Sequence, residues 1–243
     1  MAFTGDLQGM EMVLTFVGLL FLFLFFGRYG VINTGKDVDG VDVEKPTLHF
    51  VPSSIERLQS ITRFSRDELK TLYRNFKTEC PHGIVSEEKF KSIYRGLFPT
   101  GEAEMYAHYA FHAFAHRDEE IINFEELAVG LSLLQKGTLE EKLRWTFRLY
   151  DINHDGYITR EEMAKIVESV HLMVVEPPLA DESHLAHSEK IFNKFDRNGD
   201  GYVTFDEFYE SCVNNQTIVQ SMMVFHKEEC DVDGSDETTI WHH

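Results

Sequence analysis

Apolar side chains recur at intervals of three and four through most of the chain, in short stripes separated by polar breaks of about a dozen residues. Leu69, Leu72, Tyr73 and Phe76 form one stripe behind Ser65 and Glu68, which stand at N-cap and capping-box positions. Phe90, Ile93, Tyr94 and Leu97 form the next. A third opens on Thr138 with Glu141 and runs to Phe147 and Tyr150, and Met163, Ile166, Val167 and Val170 follow. Ile191, Phe192 and Phe195, then Phe205, Phe208 and Cys212, complete the series. Each stripe predicts a helix with one buried face, so the chain reads as a repeated helix–break–helix unit. Ahead of the series, Met12 to Phe26 reads MVLTFVGLLFLFLFF, apolar on every side.

Two of the breaks carry chemistry. Residues 151–162 read DINHDGYITREE and residues 196–207 read DRNGDGYVTFDE, both fitting D-x-[DN]-x-[DN]-G with glutamate at the twelfth position. A calcium ion wants six to eight oxygens at about 2.3–2.6 Å. In the first loop Asp151, Asn153 and Asp155 offer side-chain oxygens, Tyr157 a backbone carbonyl, and Glu162 both carboxylate oxygens. In the second the same parts fall to Asp196, Asn198, Asp200, Tyr202 and Glu207. Gly156 and Gly201 permit the sharp turn around the ion. Thr159 and Thr204 hold the ninth position, often filled through water. The β-branched Ile158 and Val203 suit a short antiparallel bridge between paired loops. Two full matches 45 residues apart, each between amphipathic helices, predict two calcium sites.

Two other breaks look like the same loop without its ligands. In FKTECPHGIVSEEKF, Phe76 to Phe90, Gly83 and Val85 remain. Thr78 and Cys80 replace the first and third ligands, and Lys89 stands where the bidentate glutamate belongs. In FAHRDEEIINFEEL, Phe114 to Leu127, Ile122 and Glu126 remain. Ala115, Arg117 and Glu120 replace the first ligand, the third ligand and the turn glycine. Neither loop is expected to hold calcium. The amino-terminal half then serves as scaffold and binding surface, and the carboxy-terminal half carries the ions.

Charge agrees with this reading. Asp and Glu outnumber Lys and Arg by 41 to 23, a formal net charge of -18, which repels phosphate backbones and argues against nucleic acid as a partner. Three cysteines, Cys80, Cys212 and Cys230, at wide spacing without CxxC make no disulfide framework and fit a reducing compartment. No nucleophile triad, phosphate loop or catalytic carboxylate pair stands out, so no enzyme is expected.

Two ligand-poor loops followed by two complete ones, with Cys80-Pro81 in the first, resemble the neuronal calcium sensor family. The runs KTECPHGIVSEEKFKSIY, YAHYAFHAF and EKLRWTFRLYDINHDGYITREEM resemble the Kv channel-interacting proteins, and LQGMEMVLTFVGLLFLFLFFGRYGVINTG resembles a hydrophobic amino-terminal variant among them. The resemblance covers roughly residues 50–225. It implies an all-α fold of two paired EF-hand lobes, four helix–loop–helix units in all, with an apolar amino-terminal helix. It also implies a calcium-sensing auxiliary subunit for Shal-type, A-type voltage-gated potassium channels that alters their gating and trafficking. The partner would be the channel α subunit, contacted at its cytoplasmic amino terminus and tetramerisation domain. By matching position Tyr73 and Lys77 would lie near the tetramerisation domain, and Phe98, Phe111 and Phe114 would line the groove that takes the channel's helix. The tail HKEECDVDGSDETTIWHH and the connector HLMVVEPPLADESHLAHSEK depart from the family pattern.

The expected organisation is an apolar helix over 1–29, a linker and lead-in helix over 30–60, and a pair without working calcium loops over 61–136. A calcium-binding pair over 137–225 and a disordered acidic tail over 226–243 follow. The fifteen residues from Met12 to Phe26 reach about 22 Å as a helix, short of a bilayer core of about 30 Å unless extended back to Leu7. They have three readings: a membrane contact, docking into the protein's own groove, or a secretory signal. Asp6 and Glu11 precede the run without any Lys or Arg, which disagrees with a signal, and Ala2 excludes N-myristoylation. If the stretch spans, Arg28, Lys36 and Lys45 on its far flank would place the calcium domain on the cytoplasmic side, and the expected location is the cytoplasmic side of the plasma membrane or endoplasmic reticulum membrane. A calcium buffer of the secretory pathway with a cleaved signal is the alternative function, and a calcium-dependent DNA-binding repressor is disfavoured by the charge. His108, His112 and His116 fall at i, i+4 and i+8 and read as solvated or core histidines, since a metal site there needs further ligands.

Overall fold

The computed structural model describes residues 54–99, 101–115, 120–174, 181–216 and 218–219. The apolar stretch 12–26, the tail 226–243, Arg117, His116 and the Pro177-Pro178 step lie outside them.

A short lead-in helix, α1 (Ile55–Ile61), starts on Ser54, whose hydroxyl accepts from the Arg57 N–H. It is followed by α2 (Arg66–Glu79), whose N-terminus carries the reciprocal Ser65–Glu68 capping box that the sequence predicts. Next come β1 (Ile84–Ser86), α3 (Glu87–Leu97), α4 (Glu104–Phe114), β2 (Ile121–Asn123) and α5 (Phe124–Lys136). The second half runs α6 (Leu139–Tyr150), β3 (Tyr157–Ile158), α7 (Arg160–Val174), α8 (Asp181–Phe195), β4 (Val203–Thr204) and α9 (Phe205–Val213). Helices α7 and α8 extend into both ends of the stretch read as a connector.

The short strands join the loops in pairs. β1 and β2 are antiparallel with Val85 opposite Ile122, and β3 and β4 are antiparallel with Ile158 opposite Val203. All four of these residues are buried, so each bridge anchors its loop pair to the apolar interior. The fold is all-α in character, with the strands confined to these bridges.

Helix packing brings the two halves together as one continuous core. Within the first half α2 lies on α1 and α5, and α3 on α4. Across the boundary α4 packs on α6 and α7, and α5 on α6. Phe114 of α4 meets Trp145 of α6 edge-on at 5.1 Å between ring centroids. The Arg148 guanidinium donates to the Ala115 carbonyl at 2.8 Å, and the Glu102 N–H donates to the Leu172 carbonyl at 2.9 Å. Gly101 sits so close to the end of α7 that a Cβ there would come within 2.0 Å of the Met173 carbonyl oxygen. Burial of each large side chain in this core contributes about 1.5–3 kcal/mol. Among the described residues no helix is long and apolar enough to cross a membrane.

Candidate metal centre

The two complete loops are built from the same hydrogen bonds. In the first, Asp151 Oδ1 accepts from the Asp155 N–H at 3.1 Å and Oδ2 from the Gly156 N–H at 3.0 Å. In the second, Asp196 accepts from Asp200 at 3.1 Å and Gly201 at 3.1 Å. Asn153 and Asn198 each accept from the N–H two residues on, at 3.0 and 2.9 Å. Asp155 accepts from the Tyr157 N–H at 3.0 Å and Asp200 from the Tyr202 N–H at 2.9 Å. The chain is thereby wound into a turn whose first, third and fifth side chains all bond to the backbone inside it. Gly156 and Gly201 take φ of 92° and 88°, which a Cβ would strain.

The twelfth residue closes each loop and also caps the helix leaving it. Glu162 Oε2 accepts from both the N–H and the hydroxyl of Thr159, at 2.9 and 2.8 Å, while Oε1 accepts from the Asn153 N–H at 3.2 Å. Glu207 makes the matching bonds with Thr204 at 3.0 and 2.8 Å, and with Asn198 at 3.4 Å. Both oxygens of each glutamate are therefore held toward the loop interior. The threonines, read from sequence as ninth-position ligands acting through water, orient the glutamate in this structure.

The donor set fits a hard cation. Asp151, Glu162 and Asp196 are only 6, 6 and 8% exposed, and carboxylates this deep are costly unless positive charge offsets them. Burial pushes the Asp151 carboxyl above its ordinary range, with the charge of Asp155 acting in the same direction and the Gly156 and Asp155 N–H groups opposing. At Glu207 burial also pushes up, but the N–H and hydroxyl of Thr204 and the Asn198 N–H outweigh it and hold the carboxyl below its usual value. The loops meet their surroundings through Arg160, whose Nη2 lies 3.8 Å from Asp196 Oδ2 and whose guanidinium stacks 4.3 Å above the Phe192 ring. That link between the two units was not legible in sequence, where Arg160 is just the tenth residue of its loop. The rings of Tyr157 and Tyr202 are exposed and lie 5.9 Å apart.

Residues 140–213 match the family model for an EF-hand domain pair. The match spans both complete loops and the helices that flank them, and calcium binding is the activity that EF-hand pairs carry. When bound, calcium supplies the positive charge that the buried carboxylates lack. Asp151, Asn153, Asp155, Tyr157 and Glu162 would hold one ion, and Asp196, Asn198, Asp200, Tyr202 and Glu207 another.

The ligand-poor loops keep the scaffold. Gly83 retains a φ of 80°, and Ser86 caps α3 by accepting from the Lys89 N–H at 3.3 Å. Lys89 has no acceptor with which to return the bond, and its ammonium lies 3.6 Å from Glu79. In the second loop Asn123 and Glu126 form a full capping box, at 3.0 and 2.9 Å. Of the residues offered for partner contact, Tyr73 is half-buried and meets Phe124 edge-on at 4.9 Å. Lys77 is partly exposed and donates to the Pro81 carbonyl, and Phe98 is partly buried at the end of α3. Phe111 and Phe114 lie inside the core.

Proposed function

We propose that this chain is a calcium-sensing auxiliary subunit that binds an apolar helix from the cytoplasmic amino terminus of a Shal-type voltage-gated potassium channel and modulates its gating and trafficking. The observation that carries the reading is the asymmetry of the four loops: two with complete ligand sets, two that keep the scaffold without the ligands. The long runs resembling Kv channel-interacting proteins on both sides of that divide support it further. Calcium enters at the carboxy-terminal pair, and the shared core through α4, α6 and α7 couples that pair to the amino-terminal helices. Tyr73, Lys77 and Phe98 are the residues a docking channel segment would touch first, with Phe111 and Phe114 buried behind them in the core. Residues 12–26 act as a membrane contact on the cytoplasmic face or compete for the groove from a short tether, at an effective concentration on the order of millimolar.

Titration of a labelled amino-terminal peptide of a Shal-type channel against the full chain, with and without calcium, tests this. Micromolar or tighter binding that responds to calcium, weakens with Tyr73→Ala plus Phe98→Ala, and tightens on removal of residues 1–27 is expected. No binding at 100-fold higher peptide concentration (about 2.7 kcal/mol short of that affinity) would overturn the channel reading and leave the calcium sites standing.

A further inference from the structure

Of the three spaced histidines two, His108 and His112, lie on α4, and the fold brings a carboxylate to them from a neighbouring helix. His108 and His112 stand one turn apart on the same face, their rings 4.6 Å between centroids. Glu87, the first residue of α3, reaches them from the neighbouring helix. Its Oε1 lies 2.6 Å from His108 Nδ1, and its Oε2 lies 3.8 Å from His112 Nε2. One ligand atom from each of the three residues falls within 4.8 Å of the others.

We propose that Glu87, His108 and His112 form a binding site for a divalent transition-metal ion of the zinc class, separate from the two calcium loops. Two imidazole nitrogens and one carboxylate are the donor set of open zinc sites, with bonds of about 2.0–2.2 Å to a tetrahedral ion and a fourth position left for water. Ligand atoms around such an ion sit about 3.3 Å apart, so these three need movements within the reach of side-chain torsions. Calcium and magnesium prefer all-oxygen shells, which separates this site in chemistry from Asp151 to Glu162 and Asp196 to Glu207. The side chains of His108, His112 and Glu87 are 40, 38 and 26% exposed, open enough for an ion to enter from solvent.

Their frames are held from beneath. Phe111, fully buried, meets the His112 ring edge-on at 5.5 Å, and Tyr109 meets His108 at 5.4 Å. Glu87 sits in the first turn of α3, where the helix dipole favours a carboxylate. Lys91 is the competitor, with its ammonium 2.8 Å from Glu87 Oε1 and 3.9 Å from Glu88. An ion held here ties α3 to α4, the two helices that join the first unit to the second. The half of the molecule whose loops have lost their calcium ligands thereby gains a metal of another kind.

The test is calorimetric titration of Zn2+ into the full chain, free of any histidine tag and saturated with calcium. One zinc equivalent is expected at micromolar or tighter affinity. Glu87→Gln and His112→Ala should each weaken it at least tenfold, and His108→Ala with His112→Ala together should abolish it. Glu162→Gln with Glu207→Gln should leave the zinc isotherm unchanged. Circular dichroism and an unchanged calcium stoichiometry in the histidine double variant establish that it still folds. An unaltered zinc isotherm in the histidine double variant, or loss of zinc binding in the calcium-loop double variant, would overturn the assignment, as would no zinc uptake by the unaltered chain.

Discussion

In the amino-terminal pair of units Ser86 and Asn123 cap the helices that leave the loops, and in the carboxy-terminal pair Thr159 and Thr204 do the same with nearly the same distances. Both pairs are bridged by antiparallel strands with a buried aliphatic opposite another. What separates them is the side chains at the first and third positions, and in the first unit also at the fifth and twelfth, where His82 and Lys89 stand. The requirements of folding and of ion capture are thus carried by different residues, apart from the twelfth. Glu162 and Glu207 make the cap and would also capture the ion, Glu126 retains the cap in a loop without the first and third ligands, and Lys89 does neither.

The fourth position adds a backbone difference. It holds His154 at φ 58° and Gly199 at φ 72° in the complete loops, the left-handed region. In the first unit this position is Pro81, whose ring holds φ near about −65°. The loss of ligands in that loop is therefore accompanied by a path that the complete loops do not follow.

The contrast breaks most sharply at the twelfth position. Glu162→Gln and Glu207→Gln should each remove one ion, with a fall in affinity at that loop on the order of 100-fold or more, because bidentate capture and one negative charge are both lost. Glutamine keeps an oxygen for the threonine N–H, so the cap and the fold survive. Terbium luminescence sensitised by Tyr157 or Tyr202 would follow each site, and two ions remaining in either variant would sink the assignment. Lys89→Ala should leave the ion count at two.

A graft sharpens it from the other side. Thr78→Asp, Cys80→Asp, His82→Asp and Lys89→Glu together restore the side-chain ligands of the first loop, yet with Pro81 in place no third ion is expected. Adding Pro81→Gly should admit one, since glycine reaches φ > 0 at little cost. A third ion bound with Pro81 retained would show that side chains alone separate the two pairs.

A smaller effect is expected where the halves touch. Gly101→Ala places a Cβ against the backbone of Leu172 and Met173, which cannot yield as a side-chain tip would. A loss of about 1–3 kcal/mol is expected, by overpacking, in thermal unfolding. If the halves then melt in two steps, the Glu102–Leu172 contact is what couples them. An unchanged melting temperature would place the coupling elsewhere along α4, α6 and α7.

The least effect concerns pH. Burial pushes the Glu68 carboxyl up, but the Lys136 ammonium at 2.8 Å and the Ser65 N–H and hydroxyl outweigh it, leaving it below the ordinary 4.5. A carboxyl held lower in the folded state stabilises fully above that value, and the contribution fades as pH falls through the folded pKa. Glu68→Gln should therefore cost up to about 1 kcal/mol at neutral pH, discounted for solvent screening. It should cost progressively less in acid unfolding below about pH 4.5. A loss that does not vary with pH would assign the effect to the cap and not to the charge.

The sequence by itself determined six of the helices, the capping boxes at Ser65 and Thr138, and the two complete EF-hand loops. Those features are local: a capping box spans four residues, and a loop's ligands lie within twelve consecutive ones, so backbone geometry fixes their relation once the residue types are known. The contact between Gly101 and Met173, the reach of Arg160 to Asp196 and the burial of Phe111 and Phe114 came from packing between distant elements. A phenylalanine at helical spacing looks the same whether its face meets a partner or the protein's own core, and the burial of that face decides between them. The third ligand of the α4 histidines was hidden for the same reason. Glu87 is 21 residues from His108 in the chain, and the packing of α3 on α4 is what brings its carboxylate to 2.6 Å.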